Sequence, residues 1–308
     1  MSNMRGGEGG GGHGGFRGGG DDDSNVGGGR GGGGAMENAQ EALQNFRNMQ
    51  QQQQFQQQQP QGFPGGGGGA RGQWRAIGGD NEWRGTRAMV AWNGRLYASH
   101  SNGKVFGIDP ATGQWQQIGT SSGWNTRLMF ATAEMLVLVE QSGTAWALDP
   151  VRGGHLQLGK DGEWKNIDAG DWTDRHIFCH STQGTLWKFS TPGTWEQIGN
   201  SNGWKSRFVF AGHGLVTVEQ DHTIFRVDPN TGQFQNLGRS QQSIRAGVGY
   251  RGHMYACFDD GGLYDLDLET GQWSSIGNAK TWASQQIVAF GSGIITLEER
   301  GSLFEVTV

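Results

Sequence analysis

The chain has 308 residues, among them 58 Gly, 13 Trp and 2 Cys, with 17% charged residues and a formal net charge of −5 at pH 7. No apolar run approaches the ~18 residues of a membrane span, and the first residues lack the apolar stretch of a secretory signal. Two cysteines supply neither a disulfide framework nor a zinc site, and the acidic balance disfavours non-specific nucleic-acid binding. The expectation is a cytoplasmic protein, with export by a signal-independent route left open, and with no metal, cofactor or nucleic-acid partner.

Glycine is unevenly placed: 25 of the 58 fall in residues 1–72, while every Trp lies beyond them. The chain therefore divides into a Gly/Gln-rich arm, 1–72, and a domain, 73–308, long enough for one large core. The arm cannot bury enough apolar surface to offset its ordering entropy, so it is expected to be disordered. Inside it, Met36, Ala39, Leu43 and Phe46 are spaced 3, 4 and 3 apart. That spacing predicts one short helix over about 36–59, ended by Pro60. Its apolar stripe offers a seam for self-association through the arm.

The domain is repetitive. Trp-x-x-Ile-Gly occurs at Trp74–Gly78, Trp115–Gly119, Trp195–Gly199 and Trp273–Gly277, with degenerate copies at His155–Gly159 and Phe234–Gly238. The starts are 39 to 41 residues apart, and six copies fill the domain. Each copy reads as four short strands. In the first, 87–92 and 95–100 flank Asn93-Gly94, whose residues accept the positive φ of a type I′ turn. A third strand, 104–108, leads through Asp109-Pro110 to a fourth at 115–118. Asp109, Asp149, Asp228 and Asp267 open equivalent turns and are assigned to capping them. Four strands per forty residues, repeated, predict an all-β, six-bladed β-propeller of four-stranded blades. The chain ends on a third strand and the domain begins on a fourth, so Trp74–Ile77 should pair with 302–307 and close the ring, leaving no open sheet edge.

The repeated Trp-x-x-Ile-Gly followed by a second Trp resembles the tachylectin and tectonin lectins, propellers that bind sugars. The phrases Trp92–Tyr97 and Ile108–Trp115 resemble kelch repeats, which mostly bind proteins. The kelch Gly-Gly pair is absent, since those positions read Ser101-Asn102, Gln141-Ser142 and Gln220-Asp221. The first resemblance implies glycans or glycoproteins as partners; the second implies a protein-interaction scaffold.

A second period lies inside the first. The second strands of copies two, four and six end on Glu140, Glu219 and Glu298, whereas those of copies one and three end on His100 and His180. The odd copies also share an aromatic before the first turn, at Trp92, Trp172 and Tyr250. Three two-blade units, 74–154, 155–233 and 234–308, would give the ring pseudo-threefold symmetry and up to three equivalent sites. Cys179 and Cys257 occupy one column two blades apart, beyond disulfide reach, and should be buried thiols.

The loop into each blade carries a second Trp, at Trp83, Trp124, Trp164, Trp204 and Trp282, with Ser243 in its place once. Just after it stands a cation, at Arg87, Arg127, Arg207 and Arg245, with Gln286 in the last copy. In an antiparallel blade this loop shares an end with the turn after the Glu/His column. One face should therefore carry Trp, Arg and Glu or His together. Aromatic rings that pack on a pyranose, with carboxylate and guanidinium groups that bond its hydroxyls, suit carbohydrate. The alternative is structural: the Trp column wedges between blades and Arg–Glu pairs stitch them. The first Trp column (Trp74, Trp115, Trp195, Trp273), with Trp146 and Trp187, is assigned to packing. No nucleophile elbow, Walker loop or metalloprotease motif is present, so a non-enzymatic binding protein is expected. An enzyme would have to draw on His100, His180, Glu140, Glu219 and Glu298.

Overall fold

Apolar residues alternate along each short run, and turn formers separate the runs, so every copy folds into an antiparallel meander. In the first blade the strands are Thr86–Trp92, Arg95–His100, Val105–Ile108 and Trp115–Gln117, hydrogen-bonded in that order. The computed structural model describes residues 71–308, apart from positions 174, 192, 201 and 213, and contains six such four-stranded sheets. The arm, with the helix expected at about 36–59, lies outside the described residues. The chain is thus the six-bladed propeller that the repeats predict.

Neighbouring first strands pack on one another around the axis, including the first blade's Thr86–Trp92 against the sixth blade's Ser284–Phe290. Six apolar clusters hold the ring, each filled by side chains of two adjacent blades. The third-strand aromatics face the preceding blade: Phe106 packs with the sixth blade and Phe304 with the fifth.

The ring closes as expected. Trp74–Ile77 pairs with the last strand, Leu303–Thr307, in the register Trp74↔Val306 to Ile77↔Leu303. Ile77 is buried, and Gly72 N–H donates to the Thr307 carbonyl. The recurring glycines explain the rim. A side chain on Gly153 (φ +73°) would lie 2.1 Å from the Cα of Gly119, so the turn of one blade sits directly on the end of the preceding outer strand. Gly72 meets Gly277 in the same way, which completes the contact across the seam.

The capping aspartates do what the turn chemistry requires. Asp109 accepts from Ala111 N–H at 2.9 Å and Asp267 from Glu269 and Thr270 N–H at 2.8 and 2.9 Å. These bonds hold both carboxyls below their ordinary value. Cys179 and Cys257 are free, buried thiols in different blade interfaces, and burial pushes both thiols up.

Candidate functional site

One face does gather the predicted residues. The loop into each blade rides over the preceding blade's second turn: Trp124 N–H donates to Gly103, Trp164 to Gly143, Trp204 to Gly184, Trp282 to Gly261 and Trp83 to Gly301. The rings then turn inward. Trp83, Trp124, Trp164, Trp204 and Trp282 are all buried between blades. They present no face on which a sugar could stack, and the wedge role is the one they perform. The fifth blade shows how the loop manages without the ring. There Ser240 N–H takes the equivalent bond, to His222, so Ser243 stands after the Trp place, not in it.

The cations behave differently. In all six blades the first strand carries a β-bulge at the same place, where the register shifts, as between Thr86 and Ala88 or Thr126 and Leu128. A bulged residue leaves the ladder and its side chain is re-aimed. The bulged residues are Arg87, Arg127, Asp168, Arg207, Arg245 and Gln285. The sixth copy's equivalent is therefore Gln285, not Gln286, because Gln286 pairs with Leu297 as Leu128 pairs with Val139. Five of these six, Arg87, Arg127, Asp168, Arg207 and Gln285, line the mouth of the central channel, a cavity of about 370 Å³.

Around that mouth each blade reaches the next. Arg87 donates to Asn125, and Arg127 to the carbonyls of Ile167 and Trp164. Arg207 donates to Ser243 Oγ at 2.8 Å, Arg245 pairs with Glu299 at 3.0 Å, and Gln286 donates to the Arg87 carbonyl at 2.9 Å. In the third blade, where Asp replaces Arg, His180 restores the link. Its Nδ1 lies 2.7 Å from Asp168 Oδ1 and its Nε2 lies 3.1 Å from the Trp204 carbonyl oxygen. Both partners accept, so the doubly protonated ring fits. Burial works against that charge, but the bonds to Asp168 and Trp204 outweigh it and the His180 pKa is raised.

The glutamates sit farther from the axis and do not pair with the arginines. Arg127 Nε bonds the Glu140 carbonyl, not its carboxylate. Glu219 accepts from Lys205 N–H at 2.5 Å and Ser206 Oγ at 2.7 Å; Glu298 accepts from Ala283 N–H and Ser284 Oγ at the same distances. Each carboxylate thereby fixes the entry loop of its own blade. Each also lines a groove formed by its own even blade and the loop that enters it. The groove at Glu298, about 510 Å³, includes Trp74, Arg300 and Phe304. The one at Glu219, about 440 Å³, includes Lys205, Asp221 and Phe225. The one at Glu140, about 220 Å³, includes Ser121, Trp146 and His155. The two-blade period therefore has a physical counterpart, with one such groove inside each unit.

The odd blades treat the same position differently. Glu82 accepts from Trp115 Nε1 at 2.5 Å and Glu163 from Trp195 Nε1 at 2.7 Å, tying the outer ring to the loop. In the fifth blade Asp260 binds both Tyr264 Oη and Lys280 Nζ across it.

The predicted site thus divides into a cationic channel mouth and three outer grooves. Of the outer tryptophans read from sequence as packing, Trp195 and Trp273 are partly buried against core clusters, whereas Trp74 is 57% exposed and Trp115 49%; Phe234, at the same place in its copy, is 59% exposed. Trp74 packs edge-on against Phe304, 5.3 Å between centroids, and leaves the rest of its ring to the groove. The sequence signal was available, because an outermost strand has no further strand to cover it.

The channel wall also holds Asp171, whose carboxyl accepts from Ala211 N–H at 2.8 Å and Trp172 N–H at 2.9 Å. Burial raises its pKa to about 7, against the opposing pull of those two bonds. A folded-state value above the unfolded one means that the fold binds the proton more tightly. Stability from this group is therefore greatest at acid pH and is lost as pH rises towards about 7. The urea midpoint of the wild-type chain should fall over that range more steeply than that of Asp171→Asn. At acid pH the variant has the lower midpoint, since an amide nitrogen cannot accept the Ala211 bond. Parallel profiles for the two chains would refute this assignment.

Among the described residues no group of three His, Cys, Asp or Glu is placed to hold a metal ion, and no helix is long and apolar enough to cross a membrane. The fold and its grooved face define a six-bladed β-propeller. Solved structures agree on that architecture. A Bacteroides thetaiotaomicron protein of unknown function is similar with a TM-score of 0.57 at 12% identity, over 76% of this chain and 75% of that one. YCF48 bound to D1 peptide is similar with a TM-score of 0.53 at 14% identity, over 72% and 77%. YCF48 from Cyanidioschyzon merolae gives 0.51 at 11%, over 71% and 81%. At such identities the likeness is one of fold. No protein-family profile and no curated protein sequence matches the chain.

Proposed function

We infer that the chain is a non-enzymatic carbohydrate-binding propeller with sites in the three outer grooves. The observation that carries this reading is the recurrence of one groove in every two-blade unit, each with a carboxylate beside an aromatic ring. A sugar needs both: an apolar ring face to pack on and a fixed acceptor for its hydroxyls. The groove at Glu298 is the best formed, because Trp74 is half-exposed there and Arg300 stands beside it. Resemblance of the Trp-x-x-Ile-Gly repeat to the tachylectin and tectonin lectins points the same way. A single shallow groove is expected to bind near millimolar, about −4 kcal/mol, and three on one ring gain strength on a multivalent surface.

The test is a glycan-array screen of the full chain beside Trp74→Ala and Glu298→Gln. Saturable binding to a related set of sugars is expected, with Trp74→Ala weakened several-fold while still folded at the assay temperature. No binding by the wild-type chain to any glycan would overturn the reading and favour the kelch-like alternative, a scaffold for a protein partner.

A further inference from the structure

The channel mouth is a second site, chemically unlike the outer grooves. The chain as a whole is acidic, yet its mouth is lined by Arg87, Arg127 and Arg207 against Asp168, and Arg245 stands at the same bulge of the fifth blade. Two of these four arginines are committed. Arg127 donates to three backbone carbonyls, and Arg245 pairs with Asp259 and Glu299. Arg87 and Arg207 are different. Both are exposed and both line the cavity; each uses one terminal nitrogen for the neighbouring blade, and the Arg207 guanidinium also lies over the Phe208 ring, 5.2 Å from its centroid. They belong to blades one and four, which stand opposite each other in a ring of six.

Farther along the same strands the wall turns apolar, with Met89, Met129, Trp172, Phe208 and Val288 around the cavity. The one acid in that stretch, Asp171, has both oxygens occupied by backbone N–H groups. Burial also raises its pKa to about 7, so near neutral pH it repels an entering anion less than a fully ionised carboxylate would.

We propose that the channel mouth binds a carboxylate carried on an apolar stem. The carboxylate lies between Arg87 and Arg207, and the stem enters the channel. Guanidinium groups match a carboxylate in both charge and geometry. A low-dielectric wall just beneath strengthens that attraction relative to open solvent. The chemistry is shared by two sources, a free aliphatic acid and the C-terminus of a peptide ending in an apolar residue. The site is independent of the outer grooves, since neither arginine lines them.

The experiment is calorimetric titration of the full chain with hexanoate and with hexanol, and with a short peptide ending in Phe, carrying either a free or an amidated terminus. At least one acid should saturate below about 10 mM. Its neutral counterpart should bind at least about tenfold more weakly, the loss of one charge-assisted contact. Binding by hexanoate alone would assign a free acid, and binding by the peptide alone a peptide terminus. The double variant Arg87→Gln with Arg207→Gln should lose about thirtyfold or more at an unchanged Tm, because the sixth blade already carries Gln285 at this bulge. Arg95→Ala, beside the first turn at the other end of the blade, should bind as the wild type does. Should the double variant prove unstable, Arg207→Lys keeps the charge, loses the fork, and should bind with intermediate strength. Equal binding of acid and neutral ligands, unchanged binding by the folded variants, or no saturation by either acid would overturn the proposal.

Discussion

Removal of residues 71–77 from the chain should lower the Tm by at least about 10 °C and make the protein aggregate. Several losses coincide. The buried Ile77 side chain alone is worth about 2–5 kcal/mol by the usual cost of truncating such a residue. A domain of this size loses about 2–4 °C for each kcal/mol. With it go the four-residue pairing to Leu303–Thr307, the bond from Gly72 N–H to the Thr307 carbonyl, the bond from Thr307 N–H to the Gln73 carbonyl, and the ion pair from Arg71 to Asp265. The contact of Gly72 on Gly277 also disappears, and with it the rim joint between blades five and six. What remains is a three-stranded last blade whose outer strand has unpaired N–H and C=O groups, a template for intermolecular pairing. Ile77→Ala in the full chain should show the smaller part of the effect, a lower Tm without aggregation, because the pairing is backbone and survives. Calorimetry and size-exclusion chromatography decide the matter. A shortened chain with wild-type Tm and a monomeric profile would show that the seam contributes little.

The ring, its closure and the two-blade alternation were legible because each depends on recurrence, and recurrence is written in the spacing of Trp, Gly and Asp. The radial position of a side chain is not written there. Trp74 and Trp83 stand nine residues apart in the same repeat, yet the first is half-exposed and the second buried. The difference arises because the outer strand has no covering neighbour, while the loop drives its Trp between two blades. Arg127 and Glu140 lie on one face, as the strand directions require, but at different distances from the axis. The bulge accounts for this. It aims Arg127 at the channel, while Glu140, which pairs with Thr126 just before the register shift, lines an outer groove. A bulge inserts one residue without altering the apolar pattern enough to be seen, and the same feature displaced the sixth copy's Gln by one position.

Trp164→Ala is expected to cost about 3–5 kcal/mol, the usual range for emptying a fully buried aromatic site, and so to lower the Tm by roughly 10 °C. Trp164 is fully buried. Its ring lies 4.5 Å from that of Trp195 and 4.8 Å from that of Phe189 between centroids, and it shares a cluster with Phe130, Val137 and Ile177 of two blades. None of these neighbours is free to fill the space, since strands on both sides fix them. The comparison with Trp74→Ala makes the measurement informative. A 57% exposed ring gives up less than half of its surface to burial, so its loss should lower the Tm by clearly less than that of Trp164→Ala. The two substitutions remove the same side chain from the two Trp columns, in the first and third copies of the repeat. If the columns differ as their burial says, Trp164→Ala should unfold early while retaining sugar binding below its transition. Trp74→Ala should melt closer to the wild type and lose binding in the groove at Glu298. A stable Trp164→Ala chain that fails to bind would reverse the assignment and return the entry-loop tryptophans to the ligand.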